Sequence, residues 1–142
     1  RNEIVAGTVS PSYLLPIQGL QRLEKIMDEY VGGTSTNYLT NEPMLTRGME
    51  LLDMLKEDLP HLGAEDLHQL QRVWELQHRV WASESVTRHT MFREETRWPG
   101  YYYRADHPNL DDTDWHCFTL SRYNPGTGEW AMEKAPVHHI ID

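Results

Sequence analysis

The sequence contains a single cysteine, Cys117, among its 142 residues. An intrachain disulfide is therefore impossible, and a zinc or iron–sulfur site built from cysteines is disfavoured. Basic residues are also scarce, since 13 Lys and Arg stand against 22 Asp and Glu for a formal net charge of -9. Nucleic acids and anionic membrane surfaces are bound through clustered Lys and Arg, so this balance argues against both as partners.

Long hydrophobic runs and common catalytic signatures are missing as well. No apolar stretch approaches the length of a membrane span, and the mean hydropathy is -0.66. The sequence has no G-x-G-x-x-G dinucleotide fingerprint, no P-loop and no G-x-S-x-G nucleophile elbow. We therefore expect no membrane insertion and no catalysis by this chain alone. The single cysteine suits a reducing compartment, and a cytoplasmic location is expected.

Helical periodicity is present in three segments, each with apolar residues at three- and four-residue steps. The first segment stops at Gly32-Gly33, and the second begins after the N-cap Asn41 and stops at Pro60. The third is expected to run from about Ala64 to about Thr96. Its predicted inner face consists of Leu67, Leu70, Trp74, Val80 and Trp81. Short connections between the segments predict a mainly α fold, an antiparallel three-helix bundle with a long third helix.

The sequence after the third helix changes character. An irregular aromatic loop begins at Trp98. Two strand-like runs, Trp115–Tyr123 and Glu129–Lys134, then flank a turn-forming sequence at 124–128, which predicts a short C-terminal β-hairpin. The chain opens at Arg1 inside sequence that reads as part of a fold, so we expect the extended lead-in at residues 1–16 to continue from an upstream domain. The helical bundle is assigned to residues 17–97, and the aromatic loop, hairpin and tail to residues 98–142.

Three groups of potential metal-binding or nucleophilic residues are better explained by structural roles. The eight histidines are scattered, with no H-x-x-x-H or H-E-x-x-H pair, so surface or interface histidines are favoured over a metal site. The acidic run Asp111–Asp114 lacks the glycine and later glutamate of a calcium loop, which favours a solvated turn or a helix N-terminus. Cys117 beside His116 is read as a half-buried strand cysteine and not as a nucleophile.

Four arginines lie close together in the sequence, at Arg88, Arg93, Arg97 and Arg104. Such a cluster can hold a phosphate or sulfate group, but ion pairs with Glu94, Glu95 and Asp106, or with a neighbouring domain, are the favoured interpretation. Aromatic side chains follow the arginines on irregular backbone, and a small domain has little material to cover them. Exposed aromatic patches mark interfaces, so the interface candidates are Trp98, Tyr101, Tyr102 and Tyr103.

The segment at 92–108, FREETRWPGYYYRADHP, resembles the C-terminal helical domain of the succinate dehydrogenase and fumarate reductase flavoprotein family. That family carries the motif E-S-R-G-x-H-x-R-x-D-x-P in this domain. Thr96-Arg97 align with its S-R, and Arg104, Asp106 and Pro108 align with its R-x-D-x-P. Through this motif the resemblance implies that Arg97, Arg104, Asp106 and Pro108 form a network that anchors the domain.

Two departures from the family motif are visible. Trp98-Pro99 is an insertion after the arginine, and Tyr102 stands where the family has histidine, which puts any role of that histidine in doubt. The form E-T-R-W-P-G-Y-Y-Y-R-A-D is similar to the adenylylsulfate reductase branch of the family. Further stretches, at 25–33 and 121–130, agree with that branch, so the resemblance extends along the whole chain.

The resemblance implies a parent oxidoreductase of sulfur metabolism that interconverts adenylylsulfate and sulfite plus AMP. FAD is expected in FAD-binding and capping domains upstream of this segment, and iron–sulfur clusters in a separate β subunit. This segment is expected to pack on the flavin domain and to support subunit contacts, without catalytic, cofactor-binding or metal-binding residues of its own. Two alternatives stay open: the same domain of a dicarboxylate enzyme such as fumarate reductase, and an independent helical protein-binding module.

Overall fold

The computed structural model describes residues 13–98 and 101–138, and its body is a bundle of three helices. These are α1 (Pro16–Tyr30), α2 (Glu42–Asp58) and α3 (Leu67–Phe92), each of which packs against the other two. The predicted mainly α fold with a long third helix is confirmed. Most of the predicted lead-in at 1–16 lies outside the described residues.

Side-chain caps set the starts of the second and third helices. The Asn41 side chain accepts a hydrogen bond from the backbone N of Met44, which confirms the predicted N-cap of α2. The third helix starts later than the predicted Ala64, because the Asp66 carboxylate caps it by accepting from the backbone N of Gln69. It also ends earlier than the predicted Thr96, because the backbone turns extended at Arg93.

The core lies between the three helices, but the predicted inner face of α3 is partly wrong. Leu67 and Trp74 are 77% and 53% exposed, and Trp81 also lies outside the core. The buried face consists instead of Leu70, Val73, Leu76, Val80, Glu84, Thr87 and Thr90. The physical reason is that α1 approaches α3 closely at Leu76, where a Cβ on Gly19 would lie 2.5 Å from Leu76 Cδ2, so the aliphatic stripe that contains Leu76 faces the core.

The remainder of the chain forms two small sheets and one helical turn. The parallel pair β1 (Leu39–Thr40) and β2 (Tyr103–Arg104) ties the loop after α1 to the aromatic loop. After the single turn α4 (Asp112–Trp115), strands β3 (Cys117–Asn124) and β4 (Glu129–Pro136) form the predicted antiparallel hairpin. Trp115, expected at the start of a strand, belongs to α4, because the Asp111 carboxylate caps that turn.

One face of the hairpin packs on the C-terminal half of α3. The two ring nitrogens of His89 lie 3.0 Å from the hydroxyl oxygens of Thr119 and Ser121, and the Trp81 and Tyr123 rings meet edge to face at 4.8 Å. The alternate residues Phe118, Leu120 and Arg122 point to the opposite face. In the described parts of the chain, no helix is long and apolar enough to cross a membrane.

Candidate functional site

The loop from Arg97 to His107 is closed at its base by one threonine. Thr96 is buried, and its hydroxyl donates to the carbonyl of His107 at 2.9 Å and accepts from the backbone N of Arg104 at 3.0 Å. Its own backbone N donates to the carbonyl of Asn109 at 3.1 Å. The residue that aligns with the motif serine therefore holds both ends of the aromatic loop together.

Arg104 inserts its guanidinium beneath the C-terminal end of α3 and is only 1% exposed. Nη1 donates to the carbonyls of Thr90, Met91 and Arg93 at 2.5, 3.1 and 3.2 Å. These carbonyls carry the negative end of the helix dipole and lack partners within the helix. A buried positive charge is thus stabilised by α3 itself.

Asp106 is the carboxylate partner of Arg104. Its carboxylate accepts two hydrogen bonds from Arg104, from Nε and Nη2, each 2.8 Å long. The same carboxylate accepts from the backbone N of Glu42, the first residue of α2, at 2.9 Å. The Arg104 hydrogen bonds, together with that of Glu42, hold the pKa of Asp106 well below its ordinary value.

Backbone pairing fixes the far side of the loop. Tyr103 N donates to the carbonyl of Tyr38 at 2.7 Å, and Ala105 N donates to the carbonyl of Thr40 at 2.8 Å. Gly32, in the loop after α1, has a φ of +83°, and a Cβ on this residue would lie 3.4 Å from the Cβ of Tyr102. The loop after α1 therefore forms a close-fitting support for the aromatic loop.

A second charged cluster centres on Glu95, which is fully buried. Burial opposes ionisation of this carboxyl, but hydrogen bonds from Arg97, the backbone N of Asp111 and Arg93 outweigh it and lower its pKa. Arg97 reaches Glu95 through Nε at 2.7 Å and also bonds Asp112 at 2.9 Å, so the cluster joins the loop to α4.

The four arginines do not converge on one point. Arg104 pairs with Asp106, Arg93 and Arg97 share Glu95, and Arg88 pairs with the buried Glu84 on its own helix. Each guanidinium faces a carboxylate, which favours the ion-pair interpretation over a phosphate or sulfate site. In the portion of the chain that the structure covers, no three His, Cys, Asp or Glu residues are grouped so as to hold a metal ion.

The aromatic side chains of the loop point outward to different degrees. Tyr101 is 79% exposed, Trp98 and Tyr103 are exposed, and Tyr102 is half-buried, so that burial raises the pKa of its phenol. Trp98 and Tyr102 line an open groove whose other walls come from the end of α3 and from the hairpin. Pro99 and Gly100, between these side chains, lie outside the described residues.

The predicted site residues are thus distributed over three environments. Arg104 and Asp106 bond each other directly, Arg97 belongs to the Glu95 cluster, and Pro108 is exposed beside the loop base. Of the acids predicted to pair with the arginines, Glu95 and Asp106 do so. Sequence reasoning missed the buried Glu84, which pairs with Arg88. For Glu84, its position four residues before Arg88 in a helical segment is the signal that could have identified it. The anchoring and interface roles themselves stay predictions.

The fold and the loop define a helical domain with a rigidly held aromatic surface. The chain belongs to the family of fumarate reductase flavoprotein C-terminal domains, whose sequence model matches residues 20–140. The family predicted from the motif at 92–108 is confirmed.

Two adenylylsulfate reductases are close relatives. Over 133 residues the chain is 46% identical to the adenylylsulfate reductase subunit alpha of Megalodesulfovibrio gigas, covering 94% of this chain and 20% of that protein. It is 57% identical to the solved adenylylsulfate reductase of Archaeoglobus fulgidus, with a TM-score of 0.91 over 94% of this chain and 21% of that one.

Quinol fumarate reductase of E. coli shares the fold at 17% identity, with a TM-score of 0.76 over 96% of this chain and 23% of that one. The chain spans about a fifth of the length of the adenylylsulfate reductase subunits that it matches.

Proposed function

We propose that this chain is the C-terminal helical domain of the flavoprotein subunit of an adenylylsulfate reductase. The parent enzyme interconverts adenylylsulfate with sulfite and AMP, using FAD in its upstream domains and electrons from an iron–sulfur partner subunit, in the cytoplasm. Residues 1–16 lead in from the upstream domain, residues 17–97 form the bundle, and residues 98–142 carry the loop, the hairpin and the tail.

One observation carries the proposal, namely the contrast in identity between two relatives of the same fold. The chain keeps 57% identity to an adenylylsulfate reductase but only 17% to a quinol fumarate reductase, over nearly the same extent. Packing of a shared fold tolerates extensive sequence change, so high identity along the chain supports a shared enzyme type.

In this proposal the chain contributes a docking surface and not chemistry. The aromatic residues Trp98, Tyr101, Tyr102 and Tyr103 contact the flavin-bearing body of the same subunit. Arg97, Arg104 and Asp106, with Pro108 beside them, anchor the loop that presents these aromatic residues. The burial of Arg104 and the closure of the loop by Thr96 support this role, because both hold the loop in one conformation.

The described residues do not fit a flavin cradle. A pyrophosphate is bound by a glycine-rich turn at the N-terminus of a helix, where backbone N–H groups and the dipole favour an anion. Gly32 and Gly33 instead follow the C-terminal end of α1, where the dipole is unfavourable for a phosphate. FAD is therefore assigned to the upstream domains of the subunit.

The test uses the full-length flavoprotein subunit that contains this segment, purified with its iron–sulfur partner. We expect AMP-dependent oxidation of sulfite to adenylylsulfate with an artificial electron acceptor, and no reduction of fumarate by a reduced dye. The segment expressed alone serves as control and should show neither flavin absorbance nor turnover.

Fumarate reduction without adenylylsulfate formation would instead favour the dicarboxylate alternative, to which the family description points. An isolated chain that melts cooperatively as a monomer, and whose parent shows neither activity, would favour an independent protein-binding module.

A further inference from the structure

The hairpin presents a second apolar surface that the loop assignments above do not include. On its outer face, Phe118 is 59% exposed and Leu120 is also exposed. The cross-strand neighbour of Phe118 on that face is Ala135. An antiparallel sheet with one solvated face alternates polar residues outward, whereas this hairpin places Phe118, Leu120 and Ala135 there, beside the charged Glu133.

A two-stranded hairpin is marginally stable unless another layer packs on it. The inner face of this hairpin already rests on α3 through Thr119, Ser121 and Tyr123. The outer face has no described layer over it, although its side chains are apolar at the base. This pattern is typical of a hairpin packed between two layers.

The outer face is also nearly free of net charge on a chain whose formal net charge is -9. The two charged residues nearest to Leu120, Arg122 and Glu133, pair with each other at 3.0 Å. Permanent interfaces are apolar in this way, whereas transient electron-transfer contacts are small and polar. The surface therefore suits a permanently attached body.

Continuity with the aromatic loop identifies that body. Phe118 lines the same groove as Trp98 and Tyr102, so one covering surface meets the loop and the hairpin together. We infer that the outer face of the hairpin, at Phe118 and Leu120, docks on the flavin-bearing body of the same subunit. This inference rests on the proposed function and extends its interface from the loop to the base of β3.

The test is hydroxyl-radical labelling of the full-length flavoprotein subunit, with and without its iron–sulfur partner, each normalised to the urea-denatured subunit. We expect loss of labelling at Phe118 and Leu120 in the subunit without its partner, while Leu67, on the exposed side of α3, provides the matched comparison. Labelling of Phe118 that persists at the level of Leu67, or that is lost only when the iron–sulfur subunit is added, overturns the inference.

A pair of variants gives an independent measurement on the same full-length subunit. F118S should lower the unfolding temperature more than L67S, because only the first puts a hydroxyl into a covered apolar contact. Equal shifts would contradict the inference. Activity with AMP and sulfite is assayed on the same preparations, so a failure of the proposed function is seen as lost adenylylsulfate formation with Phe118 still protected.

Discussion

Arg104 and Asp106 form a bidentate ion pair that joins the C-terminal end of α3 to the N-terminal end of α2. The guanidinium of Arg104 donates to three carbonyls at the C-terminus of α3, and the carboxylate of Asp106 accepts from the first backbone N–H of α2. Each charge lies at the helix end of opposite polarity. The pair thus links α2 and α3 through the loop that carries the aromatic residues.

Replacement of Arg104 should be among the most damaging single changes in the chain. We expect R104A to lower the free energy of unfolding by about 3–5 kcal/mol, because it leaves Asp106 and the helix carbonyls without their partner. R104K keeps the charge but loses the planar guanidinium that donates two hydrogen bonds to Asp106. Its free energy of unfolding should lie between those of R104A and the wild type. Urea unfolding followed by circular dichroism measures both variants. Equal stability of R104K and the wild type would contradict a role for the guanidinium geometry.

The stability that Asp106 contributes should depend on pH in one direction. Its pKa in the folded chain lies below the ordinary value of 3.8, so its ionised form is favoured by folding. This contribution is complete above the ordinary pKa and is lost as pH falls below 3.8 towards the folded pKa.

We therefore expect D106N to be less stable than the wild type at neutral pH, with a difference that shrinks in acid. Urea midpoints across the pH range measure this difference. E50Q changes the exposed Arg47–Glu50 ion pair as the matched control and should shift the midpoint little. A difference between D106N and the wild type that is constant down to acid pH would exclude the linkage.

Two glycines with positive φ offer a test of how tightly the aromatic loop is supported. G128A, in the hairpin turn, should cost about 1–2 kcal/mol of unfolding free energy for its left-handed backbone alone, because its Cβ meets only open space. G32A should cost more, since its Cβ would also lie 3.1 Å from the Tyr38 carbonyl oxygen and 3.4 Å from Tyr102 Cβ. Thermal unfolding of both variants compares them, and equal losses would mean that the support is loose.

The buried Glu84 should contribute more than exposed acids of the same bundle. It accepts hydrogen bonds from Lys56 at 2.8 Å and from Arg88 Nη2 at 2.7 Å, and its side chain is almost fully buried. We expect E84Q to lower the unfolding free energy by about 1.5–3 kcal/mol, the range for hydrogen bonds to charged groups.

Glu50, which pairs with Arg47 at the surface, is the matched control for this prediction. E50Q should change the free energy of unfolding by less than about 1 kcal/mol in the same urea titration. If E84Q and E50Q lowered the free energy of unfolding equally, burial of the Glu84 carboxylate would not strengthen its hydrogen bonds.

Local signals in the sequence predicted the elements of the fold because they act within a few residues. Asn41 caps α2 through its own side chain, Gly32 ends α1 because it adopts positive φ, and the turn at 124–128 determines the hairpin register. The motif at 92–108 likewise identified the family. The caps and the turn act only on backbone within a few residues of themselves.

The tertiary structure alone decided which side of α3 faces the core and which helix carbonyls Arg104 meets. Leu67 and Trp74 are apolar enough for either side, but α1 lies against α3 on the side of Leu76 and leaves both exposed. Arg104 finds its carbonyls at the end of α3, 11 to 14 residues back along the chain. Such choices depend on the distances between elements, which sequence periodicity does not contain.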